Sequence, residues 1–111
     1  MNVVCLRGRL VRDVEVRFST SGNAIANFTM AVNKTTKNDK GEYEANFINC
    51  VIFNKSAEFM QKYTNKGDMV EITGALQTSN YQDKDGKTIH KTEVVADKIE
   101  LVSSKKESMP F

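Results

Sequence analysis

Residues 45–64, ANFINCVIFNKSAEFMQKYT, contain a change of hydrophobic period that decides the order of the predicted elements. Residues 45–53 are rich in β-branched and aromatic side chains and fit no helical period, which predicts a strand. Residues 56–64 space their apolar side chains at helical intervals, which predicts a short helix that Asn54 or Ser56 can cap. A strand that runs almost directly into a single helix therefore marks the middle of the chain.

The two faces of the predicted strand 45–53 differ in chemistry, because successive side chains in a strand point to opposite sides. One face is apolar and consists of Ile48, Cys50 and Ile52. The other face mixes rings with an amide and consists of Phe47, Asn49, Val51 and Phe53. We expect the first face to contribute to the core and the second to lie on a surface that binds something flat. At the end of the strand, Phe53 is equally compatible with a place in the core.

Four further strands are predicted around this strand and helix, separated by turns rich in Gly, Ser, Asn and Asp. They cover residues 3–11 with a continuation after a bend over 13–18, then 24–33, 68–81 and 88–102, and the strand that contains residues 45–53 is predicted to begin at residue 43. Three strands, a helix and two strands is the order of the OB-fold, an all-β, five-stranded Greek-key barrel with one short helix between strands 3 and 4. A split β-sheet with one packed helix is the alternative. We assign residues 1–102 to the barrel domain and 103–111 to a short flexible tail.

The composition is that of one globular domain of 111 residues, 40% hydrophobic and 27% charged, with a net charge of +2. No apolar run approaches the length of a membrane span, and the first residues, MNVVCLRGRL, do not match a signal peptide. We therefore expect a cytoplasmic protein that makes no membrane contact. Cys5 and Cys50 are expected to be reduced and buried, and with a single histidine they are too few for a usual structural zinc site.

Residues that could support catalysis are sparse. His90 is the only histidine, the glycines are spread singly along the chain, and no phosphate-binding loop or nucleophile motif occurs. Asp83 and Asp85 are explained as turn formers, and together with Glu93 they are too few for the clustered acids of a metal-dependent nuclease. The sequence therefore predicts a protein that is not an enzyme.

A nucleic-acid-binding surface is better supported, because rings on which bases stack can combine with cations that follow the phosphates. Phe47 and Phe53 share a strand face, and Tyr81 has the parity of polar rather than apolar positions in its strand. Basic residues cluster in the first strand and beside both hairpin turns; among them are Arg7, Arg9, Lys34, Lys84 and Lys87. The rings expected in the core are Phe28, Phe59 and Tyr63. Two others fit either environment: Phe18 and Tyr43.

Five stretches of the chain, in order, resemble the bacterial and bacteriophage single-stranded DNA-binding proteins of the homotetrameric OB-fold type. They are NVVCLRGRLVRDVEVRF, ANFTMAVNKT, ANFINCVIFNKSAEFMQKYTNKGD, GALQTSNYQDKDGK and KTEVVADKIE, which cover nearly everything from residue 2 to about residue 102. The resemblance implies sequence-independent binding and protection of single-stranded DNA in replication, recombination and repair. It also implies a homotetramer around which the strand wraps, with no cofactor and no catalysis.

The resemblance also implies roles for individual residues. The matching positions are Phe47, Phe53 and Tyr81 for base stacking, Lys55 and Lys66 for the phosphate backbone, and Asn33 with Lys34 as a polar-basic pair before the flexible hairpin. The chain departs from the family pattern in having no tryptophan, although many members stack bases on one, and in placing Thr36 where members often have an aromatic. Because phenylalanine and tyrosine also offer a flat face, we expect weaker stacking rather than its loss.

The last nine residues, SSKKESMPF, differ from the family pattern as well. Members usually have a long linker and an acidic tip that ends in Pro-Phe, whereas here only Glu107 precedes Met109, Pro110 and Phe111. These last three residues are the expected contact for replication or recombination proteins. The short tail is more typical of a phage member or an accessory bacterial paralogue than of a housekeeping protein.

Two other functions stay open on the same fold. A non-enzymatic assembly factor, like the primosome proteins that resemble this family, would act through protein contacts and bind DNA weakly. A more remote possibility is an OB-fold nuclease, which would need a metal and would shorten DNA over time.

Overall fold

The computed structural model describes residues 1–104 of the chain. Within these residues there are six strands and one helix. The strands are β1 (Val4–Leu10), β2 (Glu15–Phe18), β3 (Ala24–Lys37), β4 (Tyr43–Phe53), β5 (Met69–Gln82) and β6 (Thr88–Ser103), and the helix α1 (Asn54–Tyr63) lies between β4 and β5.

Five of these strands close into a barrel. The sheet order is β1-β5-β6-β4-β3-β2, and an additional pairing of β1 with β3 joins the two ends of the five long strands. All described pairings are antiparallel except that of β4 with β6. The predicted five-stranded OB-fold with one helix before its fourth strand is confirmed, and the closure excludes the split sheet. After the predicted bend, β2 continues alongside β3 as a short strand of its own.

Two glycines allow the barrel strands to approach one another closely. A Cβ atom at Gly74 would lie 2.2 Å from the Val95 carbonyl oxygen, and one at Gly8 would lie 2.5 Å from the Ala31 carbonyl oxygen. The register of β5 and β6 shifts between Thr73 and Gly74, and the extra residue at this shift, Asp97, belongs to β6. The side chains of β5 therefore keep their alternation through the bend.

The core is filled by the inward faces of the barrel strands and by one face of the helix. Its fully buried members include Leu10, Met30, Ile52, Met60, Val70, Ile72 and Val94. Ala57 and Met60 of α1 are both 0% exposed, so the helix covers one end of the barrel interior. The residue before the helix, Phe53, has no capping side chain, so the predicted cap by Asn54 or Ser56 is wrong. Asn54 instead has a φ of 61°, a left-handed conformation that asparagine tolerates better than most residues, and it turns the chain directly from strand into helix.

Two hairpin arms extend beyond the core: the first arm is formed by β3 and β4, and the second by β5 and β6. β3 runs to Lys37 rather than to the predicted residue 33, because it continues to pair with β4 after a register shift. In β5, every residue from Leu76 to Gln82 is exposed, although each remains paired with β6. Backbone hydrogen bonds rather than burial hold these arms in place.

The two cysteines lie in different environments, and neither forms a disulfide. Cys50 is buried, as predicted, and burial together with the nearby Glu93 carboxylate raises its pKa from 9.0 to about 12. Cys5 is exposed, so the prediction that it is buried is wrong. Its side chain lies on the outward side of β1, opposite in parity to Leu10. Among residues 1–104, no helix has both the length and the apolarity needed to cross a membrane.

Candidate nucleic-acid interface

The outward-pointing side of β3 and β4, together with the parts of β1 and β2 that pair with β3, is here called the outer face. β4 presents two exposed rings on it, Phe47 at 68% and Phe53 at 41% exposure. Phe53 is therefore not a core residue. Six residues of strand place the two rings about 20 Å apart along β4. Val51, between them, is only 6% exposed.

Strand pairing places one arginine in line with each ring. Ala31 of β3 pairs with Phe47 on one side and with Arg9 on the other. Directly paired residues project to the same side of a sheet, and two strand spacings put Phe47 and Arg9 about 10 Å apart at the backbone. We call Phe47, Ala31 and Arg9 the Phe47 row. Because alanine is small, it leaves the face of the ring and the guanidinium open to solvent.

The second ring belongs to a row of the same kind. Ile25 of β3 pairs with Phe53 on one side and with Arg17 of β2 on the other, and these three residues form the Phe53 row. Arg17 is exposed, and no ion pair is found for it among residues 1–104. The outer face thus repeats one unit, an exposed ring with an arginine two strands away, at both ends of the same stretch of β4.

Polar residues occupy the outer face between the two rows. Thr29 pairs with Asn49, and its hydroxyl donates a hydrogen bond of 3.1 Å to the Asn49 side-chain oxygen. A groove of about 180 Å³ opens at this point, which we call the central groove. Its lining includes Arg12, Glu15, Thr29, Asn49, Lys91 and Glu93.

A second groove, of about 280 Å³, brings together three of the residues predicted from sequence: Arg7, Arg9 and Asn33. Two of the predicted cations also make contacts within the protein. The Arg7 guanidinium forms an ion pair with Glu71, and the Arg9 guanidinium donates to the carbonyl of Gly67 at 2.9 Å. An arginine has five N–H donors, so Arg9 keeps several for a ligand, whereas the charge of Arg7 is already offset.

The remaining predicted cations are spread around the barrel. Lys34 lies on the first arm, 3.4 Å from the Glu44 carboxylate. Lys55 is exposed in the first turn of α1, two residues beyond Phe53. Lys66 is exposed in the turn before β5, where its backbone N–H donates to Asp13 at 2.7 Å and holds the turn against the β1–β2 bend. Lys66 is also adjacent to Gly67, the residue that accepts from Arg9.

Tyr81 lies on the β5–β6 arm rather than on the outer face. It is 53% exposed and pairs with Ile89, two residues before the start of the turn that carries Lys84 and Lys87. The Asp83 carboxylate accepts hydrogen bonds of 2.9 Å from the backbone N–H groups of Asp85 and Lys87. This closes the turn and explains the aspartates as the sequence predicted. The geometry thus places Tyr81, Lys84 and Lys87 together on this arm, apart from the rings of the outer face.

Sequence reasoning missed several exposed side chains. Tyr63 was expected in the core, but that is wrong, because it is 54% exposed and its ring lies 5.2 Å from that of Phe59. Phe28 is buried as expected. Arg17 was not singled out from the sequence, because its alignment with Phe53 depends on two strand pairings. Tyr43 lies beneath the ammonium of Lys37 at 5.5 Å, on the first arm.

Within residues 1–104, no three His, Cys, Asp or Glu residues come close enough together to bind a metal ion. The outer face itself offers exposed rings, the hydrogen-bonding pair Thr29 and Asn49, and the guanidinium groups of Arg9 and Arg17.

A small β-barrel with exposed rings and arginines on one face is typical of proteins that bind single-stranded nucleic acids. A comparison with protein families agrees: the model of the single-strand binding protein family matches residues 1–102. The chain belongs to this family.

Individual relatives are similar over nearly the whole chain. A single-stranded DNA-binding protein of Oceanobacillus iheyensis is 47% identical over 95% of this chain and 65% of its own length. Single-stranded DNA-binding protein 2 of Listeria monocytogenes is 47% identical over 95% of this chain and 66% of its own length. For single-stranded DNA-binding protein 1 of Streptococcus pyogenes the identity is 46%, over 95% of this chain and 81% of its own length. The chain thus spans about two thirds of the length of the first two relatives.

Proposed function

We propose that the protein binds single-stranded DNA without sequence preference and protects it during replication, recombination and repair. The observation that carries this proposal is the repeated ring-and-arginine row on the outer face. The family membership and the names of the relatives support it. Binding needs no cofactor and involves no catalysis.

In the proposed mechanism, bases stack on Phe47 and Phe53 while phosphates follow the arginines two strands away. Each stacked base contributes about 1–3 kcal/mol, and stacking tolerates any sequence because every base has a flat face. The second groove extends this path, since Asn33 and Arg9 both line it. Tyr81 with Lys84 and Lys87 forms a separate contact on the exposed β5–β6 arm. Lys55 and Lys66 contact phosphates at the edges of the barrel, and Lys34 does so on the arm formed by β3 and β4.

We propose a homotetramer as the functional unit, as the family resemblance implies. Exposed apolar residues near the start of the chain support self-association: Asn2, whose side chain exchanges two hydrogen bonds of 2.8 and 2.9 Å with the backbone of Leu76, directly precedes Val3. Val3 is 63% and Leu76 48% exposed. Sedimentation velocity should give four times the chain mass at micromolar concentration, and a monomer at that concentration would refute the tetramer.

Partner recruitment is proposed for Met109, Pro110 and Phe111, which lie outside the described residues. A terminal Pro-Phe offers one ring and one rigid residue to a partner pocket. Binding of a replication or recombination protein to the full chain, and its loss on deletion of residues 109–111, would support this role.

The primary test is a titration of fluorescently labelled oligo-dT and of a matched duplex, with anisotropy as the readout. We expect tight binding to the single strand and little to the duplex. Equal affinity for both would contradict the proposed function. Weak binding to both, together with direct binding of a replication protein, would favour the assembly factor instead. Shortening of the oligonucleotide in the presence of Mg²⁺ would indicate a nuclease.

A further inference from the structure

A third exposed ring, Tyr43, lies on the side of β4 that carries Phe47 and Phe53. The register shift between β3 and β4 adds residues only to β3, between Asn33 and Lys37, so the alternation of side chains along β4 is unbroken. Tyr43 therefore shares its side with the other two rings. It is 57% exposed, and four residues of strand place it about 13 Å from Phe47.

A cation accompanies this ring, as an arginine accompanies each of the others. Tyr43 pairs directly with Lys37, whose ammonium lies 5.5 Å from the centre of the ring. Lys37 is exposed, and no ion pair is found for it within residues 1–104. Its charge can therefore attract a phosphate next to a base on the ring. We call Tyr43 and Lys37 the Tyr43 row.

The surface between the Phe47 row and the Tyr43 row is open. On this side of β4 only Ala45 separates the two rings, and it pairs with Asn33, which is exposed. The methyl group of alanine is too small to stand between the rings, and the Asn33 amide can donate to a sugar or a phosphate. A strand can thus pass from one ring to the other without meeting a bulky side chain.

The carboxylate of this stretch of β4 lies away from that path. By the same alternation Glu44 is on the opposite side of β4, where Lys34 and the Asn38 amide each lie 3.4 Å from its oxygens. Glu42 lies in the turn before β4. A base that stacks on Tyr43 therefore approaches from the side opposite to Glu44.

We propose that Tyr43 is a third stacking site for single-stranded DNA and that Lys37 supplies its phosphate contact. One continuous strand then crosses Phe53, Phe47 and Tyr43 along β4 and reaches the first arm. This inference rests on the proposed function, because it extends the path of the strand that the outer face binds.

The chain offers a matched control for the Tyr43 row. Tyr63 is 54% exposed, and the ammonium of Lys62 lies 5.7 Å from the centre of its ring. Both residues belong to α1, which is not part of the outer face. A substitution of Tyr63 or Lys62 therefore removes an equivalent group from a place that the proposed strand does not cross.

The first test measures the affinity of the full chain for oligo-dT by anisotropy. Tyr43→Ala should raise the dissociation constant on the order of tenfold, because one stacked base is lost. Tyr43→Phe keeps the flat face and should leave the constant nearly unchanged, as should Tyr63→Ala. An unchanged constant in Tyr43→Ala, or an equal rise in Tyr63→Ala, would overturn the third site and leave the proposed function standing.

Lys37 is tested by the salt dependence of the same titration. Lys37→Gln should reduce the slope of log K against log salt by about 0.7, the value for one phosphate contact with a single strand. Lys62→Gln should not change the slope. Equal slopes for Lys37→Gln and the unmodified protein would overturn the phosphate contact.

Direct contact with the base is measured by fluorescence, because the chain contains no tryptophan. Tyr43→Trp and Tyr63→Trp each introduce a single indole, whose emission is quenched when a base stacks on it. We expect oligo-dT to quench Tyr43→Trp and to leave Tyr63→Trp nearly unchanged.

Equal quenching of the two tryptophan variants, or none in Tyr43→Trp, would overturn the third site. That outcome would hold even if Tyr43→Ala weakened binding, because the tyrosine would then only hold the arm together. Should Tyr43→Ala not fold, Tyr43→Trp keeps a ring at this position and decides alone. If the unmodified protein did not bind oligo-dT, the proposed function would fail and the third site with it.

Discussion

At the scale of single residues, Phe47 is an exception to the burial of apolar side chains. Burial of a phenylalanine gains about 1.5–3 kcal/mol, yet this ring is 68% exposed on a strand whose other face is in the core. Its neighbours in the row, Ala31 and Arg9, do not cover it. The residue is thus available to a ligand without any rearrangement.

The first prediction concerns this ring. Phe47→Ala should weaken binding of single-stranded DNA by about 1–3 kcal/mol, because a stacking platform is lost. Tyr63→Ala is the matched control, since it removes an exposed ring of α1 that does not lie on the outer face. Anisotropy titrations of both variants with single-stranded DNA measure the loss of binding free energy. An equal loss in both variants would mean that the effect is not one of stacking on the outer face.

The second prediction concerns Cys50 and alkaline pH. Its pKa is about 12 in the folded protein, raised first by burial and then by Glu93, against 9.0 for the free thiol. The unfolded chain therefore loses this proton at lower pH than the folded chain, so the free energy of unfolding should fall as the pH rises from about 9 towards 12.

Urea denaturation across this pH range tests whether the Cys50 thiol causes the decline in the free energy of unfolding, and Cys50→Ala is the comparison. The variant should be less stable at pH 7, because it leaves a small cavity, but its stability should decline less steeply above pH 9. Cys5→Ala is the control, since its thiol is exposed. Identical slopes for Cys50→Ala and the unmodified protein would show that this thiol does not cause the decline.

At the scale of elements, β5 and β6 combine a tightly packed half with an exposed arm. The transition lies near Gly74, where an added Cβ atom would lie 2.2 Å from the Val95 carbonyl oxygen. A bulge on β6 at Asp97 increases the local twist and lets the same two strands serve both the barrel and the arm. Tyr81 can therefore lie far out on an arm whose base is anchored in the core.

The third prediction follows from this close approach. Gly74→Ala should lower the free energy of unfolding by about 1–3 kcal/mol, because the added methyl group meets backbone that cannot move aside alone. Thr78→Ala, on the exposed arm of the same strand, should change it by less than about 0.5 kcal/mol. Urea denaturation followed by circular dichroism, at one protein concentration, measures both. Equal stability of Gly74→Ala and the unmodified protein would contradict the packing at this crossing.

At the scale of the whole molecule, closure of the barrel converts a weakly basic chain into a locally basic surface. The net charge is only +2, and some cations are offset, as Arg7 is by Glu71 and Lys34 by Glu44. Arg9 and Arg17, by contrast, are brought to the two ends of the outer face by their pairing with β3. Few phosphates are neutralised overall, so the salt dependence of binding should be shallow compared with that of a strongly basic protein.

The fourth prediction separates the two kinds of arginine. Arg17→Ala should reduce the slope of log K against log salt by about 0.7, the value for one phosphate contact with a single strand. Arg7→Ala should reduce it less, because Glu71 already offsets this charge. Anisotropy titrations from low to moderate salt give both slopes. A larger change for Arg7→Ala would place the phosphate path along the second groove rather than through the Phe53 row.

Much of the fold could be predicted from local signals. The alternation in β4 separates a core face from a face with rings, and the change of period after residue 53 marks the helix, because both patterns depend only on near neighbours in sequence. Element ends were less predictable. β3 continues to Lys37 since its pairing with β4, rather than its own composition, sustains the arm. Tyr63 was misjudged because helical spacing does not say which flank of a short helix faces solvent.

The sequence by itself determined the class of the protein: the order of strands and helix, the exposed side of β4, and the residues that resemble a known family. Only the tertiary structure decided how that side is completed. Arg9 and Arg17 come into line with Phe47 and Phe53 through β3, and the central groove forms where β6 meets β4. These relations depend on hydrogen-bonded register between strands far apart in the chain. A single strand's periodicity carries no information about the register of its partner.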